Sequence, residues 1–187
     1  MESVFKPLKL SEIGPDILHT PFLTEDYCDI IQHILIEKNS WKNEKDHKFA
    51  TRDIYLESEL PDLYSMIDLY LEHEVWPAVA EYWSTDTFKT DTIFAIEYTL
   101  DTQRSLKLHH DDSFISASIK LNEDYEGAHL EFPNKEFSNA NVPRGDLIIW
   151  PSKITHLHRC TELTKGTKYS ITIWTKELIN EGIYRKE

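Results

Sequence analysis

Two histidines and two aspartates stand side by side in the segment SLKLHHDDSFISASIKLN, residues 105–122. Residues two apart on a β-strand share one face, so a His-x-Asp pair can aim an imidazole and a carboxylate at one metal ion. The segment offers two such pairs in opposite registers, His109 with Asp111 and His110 with Asp112. The competing interpretation is a solvated turn in which these side chains pair with each other, so the spacing alone indicates a metal site only weakly.

The phase of the strand that follows favours one of the two pairs. The odd positions of ISASIKL (115–121) are apolar, whereas the even positions carry two serines and a lysine. If this alternation continues back along the chain, His109 and Asp111 lie on the apolar, inward face. A loop between residues 111 and 114 would break the phase, so the alternation favours this pair without proving it.

A metal site needs a further ligand, and the segment WPSKITHLHRCTELTKGTKYSITIW (150–174) supplies candidates. His156 and His158 are again two apart, which on a strand places both on one face. A His-x-Asp pair with a distant histidine forms the 2-His-1-carboxylate set that leaves open coordination positions on non-haem Fe(II). His/His/Asp also suits zinc.

The last long predicted strand, KYSITIW (168–174), has two different faces. One face carries a tyrosine and two isoleucines and is suited to pack against helices. The other begins with Lys168 and Ser170 and carries a further hydroxyl. A cation with hydroxyls suits a barrel interior only if that interior binds an anion, such as the far end of a dicarboxylate. Taken alone, Lys168 is better explained as a surface lysine after a turn, and it is the combination with the His/Asp/His set that favours an anion site.

Two kinds of element must position these residues. Before residue 90 the pattern is helical: Thr24 is a good N-cap. Apolar residues then recur at helical spacing: Tyr27, Ile30, Ile31, Ile34 and Leu35. A second helix is predicted to begin near Pro61, and Pro77 is predicted to bend or break it.

From about residue 90 the apolar residues recur at every second position, the spacing of β-strands, and no longer at helical spacing. Short segments rich in β-branched and aromatic residues follow one another: 92–100, 115–121, 128–132, 146–150 and 168–174. No helix-length pattern separates them, so we expect antiparallel strands in an α+β or mainly β fold, a β-sandwich or jelly roll with the N-terminal helices packed on one sheet. We expect one domain over 1–187, with helical support in 1–90, a jelly-roll core in 91–176 and a C-terminal tail in 177–187.

The composition of the chain argues against some classes of binding partner and some cellular compartments. A formal net charge of −13 argues against nucleic acid and against an anionic membrane surface. Cys28 and Cys160 do not form a disulfide framework, so a reducing compartment is expected. With no signal-like or membrane-length apolar run, the sequence predicts a soluble, cytoplasmic protein. Nothing in it indicates an oligomeric state.

Taken in order, these motifs resemble the Fe(II)/2-oxoglutarate-dependent dioxygenases. The segments EYTLDTQRSLKLHHDDSFISASIKLNEDYEGAHLEF and PRGDLIIWPSKITHLHRCTELTKGTKYSITIW carry the signature H-x-D…H…(R/K). They are most similar to the catalytic domain of procollagen-lysine hydroxylases, with prolyl 4-hydroxylases as cousins. The likeness covers residues 93–175 and extends more loosely to 21–34. It implies a double-stranded β-helix (jelly roll) that uses Fe(II), 2-oxoglutarate and O₂, with ascorbate as a candidate addition.

The resemblance also implies roles for single residues. The metal ligands would be His109, Asp111 and His158. Lys168 would bind the 5-carboxylate of 2-oxoglutarate and Ser170 would assist it. Tyr98 falls where these hydroxylases place a tyrosine that reaches the cosubstrate, although a core tyrosine is an equal alternative. Because Asp111 is retained, the resemblance favours hydroxylation over halogenation.

The implied function is hydroxylation of an amino-acid side chain, with peptidyl lysine foremost and a peptide or amino acid as partner. The alternatives are a prolyl 4-hydroxylase-type enzyme acting on a peptide or free amino acid, a non-catalytic metal-binding jelly roll, and a zinc hydrolase. Lys168 stands where the lysyl hydroxylases have arginine and the prolyl 4-hydroxylases have lysine. If the substrate is a lysine, its ammonium group needs an acidic partner, and Asp112 and Glu97 are the candidates.

Overall fold

The computed structural model describes residues 3–43 and 51–178. Within these ranges the strands, in chain order, are β1 (Ser11–Gly14), β2 (Ile17–Pro21), β3 (Lys42–Asn43), β4 (Arg52–Tyr55), β5 (Phe88–Thr99), β6 (Leu106–His109), β7 (Ile115–Lys120), β8 (Glu126–Gly127), β9 (Leu130–Phe132), β10 (Phe137–Ser138), β11 (Asp146–Pro151), β12 (His158–Cys160), β13 (Leu163–Lys165) and β14 (Thr167–Glu177). The α-helices are α1 (Glu25–Lys38), α2 (Leu56–Glu59), α3 (Pro61–Tyr70) and α4 (Trp76–Trp83).

Two antiparallel sheets form the body of the fold. The larger sheet has the order β1-β2-β11-β7-β14-β5-β4-β3, and the smaller has the order β10-β9-β12-β6. A further pair, β8 with β13, stands beside them. This architecture confirms the predicted jelly roll, a double-stranded β-helix with helices on one sheet, and each of the five predicted strand segments contains a strand. Most of the predicted tail, residues 179–187, lies outside the described residues.

The first ninety residues contribute strands as well as helices, which the sequence did not predict. β1 and β2 extend one edge of the larger sheet, because β2 pairs with β11. β4 and β3 extend the other edge, because β4 pairs with β5. These strands span two to five residues, so each face carries too few side chains for an alternating pattern to be recognised.

The first predicted helix is present, but its buried stripe differs from the prediction. Cys28, Ile31 and Leu35 are fully buried, whereas Ile30 is 48% exposed. Thr24 occupies the N-cap position without a side-chain cap hydrogen bond. The stripe is rotated because Cys28, a small apolar residue that we did not count, occupies a position on the buried face.

The second predicted helix begins at Pro61 as expected and continues past Pro77. Between α3 and α4 the chain passes through one π-helical turn, Leu71–Val75, and Pro77 lies in the first turn of α4. A proline there lacks an amide hydrogen and cannot bond the preceding turn. The π-helical turn therefore lies where Pro77 prevents the regular α-helical hydrogen bond. The proline changes the geometry of the helix at this point but does not end it.

The central strands of the larger sheet separate two environments. Their odd-numbered apolar residues pack with α1, α3 and α4 in one core: on β7 and β14 these include Ile119 and Ile171, both fully buried. The even-numbered residues face the smaller sheet, where Ile148 and Trp150 of β11 pack with Phe132. This alternation places the helices on one side and leaves the space between the sheets for a site. Among the described residues, no helix is both long and apolar enough to cross a membrane.

Candidate metal centre and its cavity

A cavity of about 450 Å³ lies between the two sheets. This volume is within the range of roughly 300–1,000 Å³ that is typical of small-molecule sites. Its lining combines aromatic side chains with titratable groups: Asp53, Tyr55, Phe94, Tyr98, His109, His110, Asp111, Asp112, Trp150, His158, Lys168, Ser170 and Trp174 are among them. The cavity therefore has both an apolar surface and convergent polar groups.

Three of the predicted site residues converge on one point. The ligating atoms of His109, Asp111 and His158 all lie within 4.8 Å of one another. Oδ1 of Asp111 is 3.3 Å from Nε2 of His109 and 3.5 Å from Nε2 of His158. The two histidines come together because β6 pairs with β12 in a register that sets His158 opposite His109. The structure thus unites residues that are 49 positions apart in the chain.

The ring orientation of both histidines suits metal binding. Nδ1 of His109 donates to the backbone carbonyl of Lys107 at 2.7 Å, and Nδ1 of His158 donates to the carbonyl of His156 at 2.9 Å. A hydrogen on Nδ1 leaves the lone pair of a neutral imidazole on Nε2, the atom that faces Asp111. The backbone therefore fixes the tautomer that a metal ligand requires.

The carboxyl group of Asp111 is held in its ionised form. Burial by itself would raise its pKa, but hydrogen bonds with His109, His158 and Ser116 hold the pKa of Asp111 well below its ordinary value. For His109, burial acts to lower the pKa and the neighbouring Asp111 outweighs it, so the pKa of His109 is raised. An anionic carboxylate between two imidazoles is a donor set for a divalent cation.

The pair chosen from the sequence is the pair that converges, but the phase argument for it was wrong. On β7 the apolar odd positions face the helices, and the even residues Ser116 and Ser118 face the cavity. The strand β6 ends at His109, and residues 110–114 form an irregular connection before β7 begins. This connection changes the phase, so Asp111 enters the cavity from the loop and not from a continuous strand.

The predicted faces of β14 are present. Lys168 and Ser170, each 4% exposed, line the cavity, whereas Tyr169 packs in the core below the helices. Nζ of Lys168 donates to the carbonyl of Ala128 at 2.7 Å and lies 5.4 Å from the ring centroid of Tyr98. Burial lowers the pKa of Lys168 below its ordinary value. Burial and the adjacent thiol of Cys160 raise the pKa of Tyr98.

Two other sequence candidates lie away from the centre. His156 is 1% exposed, and its Nε2 donates to the carbonyl of Pro15 at 3.1 Å, so it packs as a structural residue. Glu97 lies on the opposite face of β5 from the cavity, where it pairs with Arg52 and accepts from the hydroxyl of Tyr169 at 3.2 Å. The suggestion that Glu97 receives a substrate ammonium group was therefore wrong.

Asp112, the other acidic candidate, lines the cavity and is exposed. Sequence reasoning missed Asp53, which is 7% exposed and lines the cavity from β4. It also missed Ser116, whose Oγ donates to Oδ2 of Asp111 at 2.6 Å. The polar even face of β7 was the signal that could have identified Ser116. For Asp53 no such signal existed, because β4 was not predicted as a strand.

The residues present fit Fe(II) and 2-oxoglutarate. The triad offers two imidazole nitrogens and one carboxylate oxygen at a single point, the donor set of non-haem Fe(II) sites that keep open positions. The same cavity contains the buried ammonium group of Lys168, which would leave an uncompensated charge unless a ligand carboxylate meets it. A dicarboxylate that chelates the metal at one end would therefore find Lys168 as the partner of its other carboxylate.

Comparison with known proteins agrees with this chemistry. The family model of the 2OG-Fe(II) oxygenase superfamily matches residues 94–176. The chain is 29% identical over 170 residues to procollagen-lysine,2-oxoglutarate 5-dioxygenase 1 of Mus musculus. It is 28% identical over 173 residues to the multifunctional procollagen lysine hydroxylase and glycosyltransferase of Caenorhabditis elegans. Each match covers 83% of this chain but 23% of the relative, so the chain spans about a quarter of the length of these proteins.

Solved structures share the fold. The viral collagen prolyl hydroxylase from Paramecium Bursaria Chlorella virus-1, in its 2OG complex, superposes with a TM-score of 0.64 at 14% identity. That match covers 88% of this chain and 98% of the viral one. A Pseudomonas putida prolyl-4-hydroxylase gives a TM-score of 0.58 at 13% identity, covering 87% and 92% of the two chains. At these identities the likeness supports the double-stranded β-helix itself.

Proposed function

From the match of residues 94–176 to the 2OG-Fe(II) oxygenase superfamily, we propose that this chain is an Fe(II)- and 2-oxoglutarate-dependent dioxygenase. It hydroxylates an amino-acid side chain, with peptidyl lysine as the substrate. The observation that carries the proposal is the convergence of His109, Asp111 and His158 in a cavity that also contains the buried amine of Lys168. When bound, Fe(II) and 2-oxoglutarate supply the oxidation, in which one atom of O₂ enters a C–H bond and the other leaves in succinate.

The chain's own residues hold and orient these partners. His109, Asp111 and His158 would hold the metal through Nε2, Oδ1 and Nε2, because their other polar atoms already have hydrogen-bond partners. Lys168 would bind the 5-carboxylate of 2-oxoglutarate as a point charge, with Ser170 on the same strand face as a hydroxyl donor. Tyr98, beside Lys168, would add its hydroxyl at the same end of the cosubstrate.

Lys168 and the triad lie at different depths of the cavity. Lys168 pairs with Tyr98 across the sheet, whereas Ser116, which bonds Asp111, pairs with Trp174. Lys168 and Trp174, the neighbour of Ser116, are six positions apart along β14, about 20 Å at roughly 3.3 Å per residue. A cosubstrate that chelates the metal would therefore extend along this face toward Lys168.

A lysyl substrate is favoured by the wall that leads to the metal. Tyr55, Phe94 and Trp174 form a continuous aromatic surface, with ring centroids 5.7 Å apart for the first pair and 5.2 Å for the second. Tyr55 is 36% exposed, so this surface reaches the cavity mouth. Aromatic faces accept an alkyl stem and attract a cation, and Asp53 and Asp112 supply negative charge in the same lining.

Prolyl hydroxylation is the second candidate, and one observation favours it. The cation in the cavity is Lys168, and the resemblance assigns lysine at this position to the prolyl 4-hydroxylases and arginine to the lysyl hydroxylases. A lysine still provides the charge that the 5-carboxylate needs, so the binding of 2-oxoglutarate is expected under both candidates.

The experiment is hydroxylation of matched peptides. Lysyl, prolyl and norleucyl peptides of otherwise identical sequence are incubated with the protein, Fe(II), 2-oxoglutarate and ascorbate, and the gain of one oxygen is measured by mass spectrometry. We expect the lysyl peptide to be the preferred substrate, and we expect Asp112→Asn or Asp53→Asn to reduce that preference. The matched control is Asp86→Asn, which removes one exposed charge outside the cavity lining. Hydroxylation of the prolyl peptide with the lysyl peptide inert would refute the lysyl assignment.

A further inference from the structure

The two oxygens of the Asp111 carboxylate have different partners. Oδ1 faces the two histidine nitrogens, at 3.3 Å and 3.5 Å. Oδ2 accepts a hydrogen bond of 2.6 Å from the hydroxyl of Ser116. Asp111 is 7% exposed and Ser116 is fully buried, so water competes poorly for this bond. A hydrogen bond to an ionised acceptor is among the stronger ones in proteins.

The position of Ser116 is set by the sheet and not by the loop that carries Asp111. Ser116 lies on β7, in the middle of the larger sheet, where it pairs with Trp150 of β11 on one side and Trp174 of β14 on the other. The two indoles flank the serine on the cavity face, and Trp150 also packs against His158 with ring centroids 5.3 Å apart. A loop carboxylate is thereby fixed by a hydroxyl on a rigid strand.

From this arrangement we propose that Ser116 is a positioning residue that restricts Asp111 to a single-oxygen contact with the metal. The inference rests on the proposed function. On an octahedral ion, two imidazoles and one carboxylate oxygen occupy half of the positions. A chelating 2-oxo acid and O₂ need the other half, so a carboxylate that bound through both oxygens would remove one of them. By donating to Oδ2, Ser116 would keep this oxygen from the metal and leave that position open.

The test compares two variants of the same shape. Ser116→Thr keeps the hydroxyl and Ser116→Val replaces it by a methyl group, so the pair differs in the donor alone. Affinity for Co(II), and then for N-oxalylglycine on the Co(II)-loaded protein, is measured by titration calorimetry without turnover. We expect the Co(II)-loaded Ser116→Val variant to bind N-oxalylglycine about 10- to 100-fold more weakly than Ser116→Thr, because Oδ2 is then free to occupy the position that the analogue needs. We also expect an altered affinity for Co(II) and an altered visible spectrum of bound Co(II).

Ser118→Ala is the matched control. It removes a hydroxyl from the same face of the same strand, from a residue that does not bond Asp111, and it should leave Co(II) affinity within about twofold. Equal Co(II) and analogue affinities in the Thr and Val variants would overturn the role of Ser116. Weaker Co(II) binding with unchanged analogue binding would also overturn it, because the open position would not depend on the hydroxyl.

His109→Ala separates this inference from the proposed function on which it rests. If His109→Ala lowers Co(II) affinity and the Thr and Val variants agree with each other, only the role of Ser116 is refuted. If His109→Ala leaves Co(II) affinity unchanged, the triad is not the metal site and the proposed function fails with it. Thermal unfolding of each metal-free variant shows that the comparison is made between folded proteins.

Discussion

Adjacent residues of the HHDD segment differ in what surrounds them. The side chain of His109 is 9% exposed and Nδ1 is fixed by a carbonyl, whereas His110 is exposed. Asp111 is buried between imidazoles, whereas Asp112 is exposed at the cavity. Residue type alone cannot distinguish these neighbours, since the sequence offers two equivalent His-x-Asp pairs.

The first prediction follows from this difference. His109→Ala, Asp111→Ala and His158→Ala should each weaken metal binding by more than about 100-fold, since loss of even an outer partner costs about 10- to 100-fold. Substituting their exposed neighbours, in His110→Ala and Asp112→Ala, should change metal affinity by a few fold at most. Calorimetric titration with Fe(II) or Co(II) in the absence of oxygen measures this. If His110→Ala and Asp112→Ala lose the metal while His109→Ala and Asp111→Ala retain it, the functional pair is His110 with Asp112.

Lys168 allows a second prediction about a single residue. Lys168→Ala should raise the Michaelis constant for 2-oxoglutarate by about 30- to 1000-fold, or ~2–4 kcal/mol, because a buried carboxylate would lose its partner. Metal affinity should change much less, since the amine donates to the carbonyl of Ala128 and to no residue of the triad. Steady-state kinetics and metal titration of the same variant measure the two effects. An unchanged dependence on 2-oxoglutarate in a folded variant would remove Lys168 from the site.

The lowered pKa of Lys168 adds a pH dependence with a defined sign. Below that pKa the amine is charged and binds the 5-carboxylate; as the pH rises through it, the proton is lost and 2-oxoglutarate affinity falls. The Michaelis constant for 2-oxoglutarate should therefore rise on the alkaline side in the wild-type protein. Lys168→Arg should lack this alkaline rise, because a guanidinium group stays charged. The same alkaline rise in both proteins would assign it to another group.

At the scale of secondary-structure elements, the sequence predicted those strands that are long enough to show an alternation of apolar and polar residues. β5, β11 and β14 lie at the predicted places, and both faces of β14 were assigned correctly. The short strands β1 and β4 carry too few residues for a period. The phase of β7 was misjudged because, in a sheet covered by helices, the apolar face meets the helices and the polar face meets the cavity.

The orientation of α1 gives a prediction at the same scale. Ile31→Ala should reduce the free energy of unfolding by about 2–5 kcal/mol, because Ile31 is fully buried in the core below the larger sheet. Ile30→Ala, one position away and 48% exposed, should change it by no more than about 0.5 kcal/mol. Urea denaturation followed by tryptophan fluorescence measures both. Equal losses would mean that the helix presents a different face to the sheet.

At the scale of the whole molecule, the formal net charge of −13 affects which substrates approach the cavity. Opposite charges attract over distances that salt screens, with a Debye length of about 8 Å at physiological ionic strength. The Michaelis constant for a lysyl peptide should therefore rise with added salt. A norleucyl peptide of the same length, which lacks the cation, should show a smaller rise in any activity that it supports. A salt dependence equal for both peptides would mean that charge does not select the substrate.

The central claim, that this chain is an Fe(II)- and 2-oxoglutarate-dependent dioxygenase, has one direct test. Succinate is quantified after incubation of the purified protein with Fe(II), ascorbate, 2-oxoglutarate and O₂, with and without the lysyl and prolyl peptides, beside Asp111→Ala as the matched inactive protein. We predict that succinate forms in amounts that depend on Fe(II) and on O₂, that a peptide substrate increases it, and that Asp111→Ala abolishes it. A folded protein that binds Fe(II) through His109, Asp111 and His158 but forms no succinate under any of these conditions would contradict the claim and leave a non-catalytic metal-binding jelly roll.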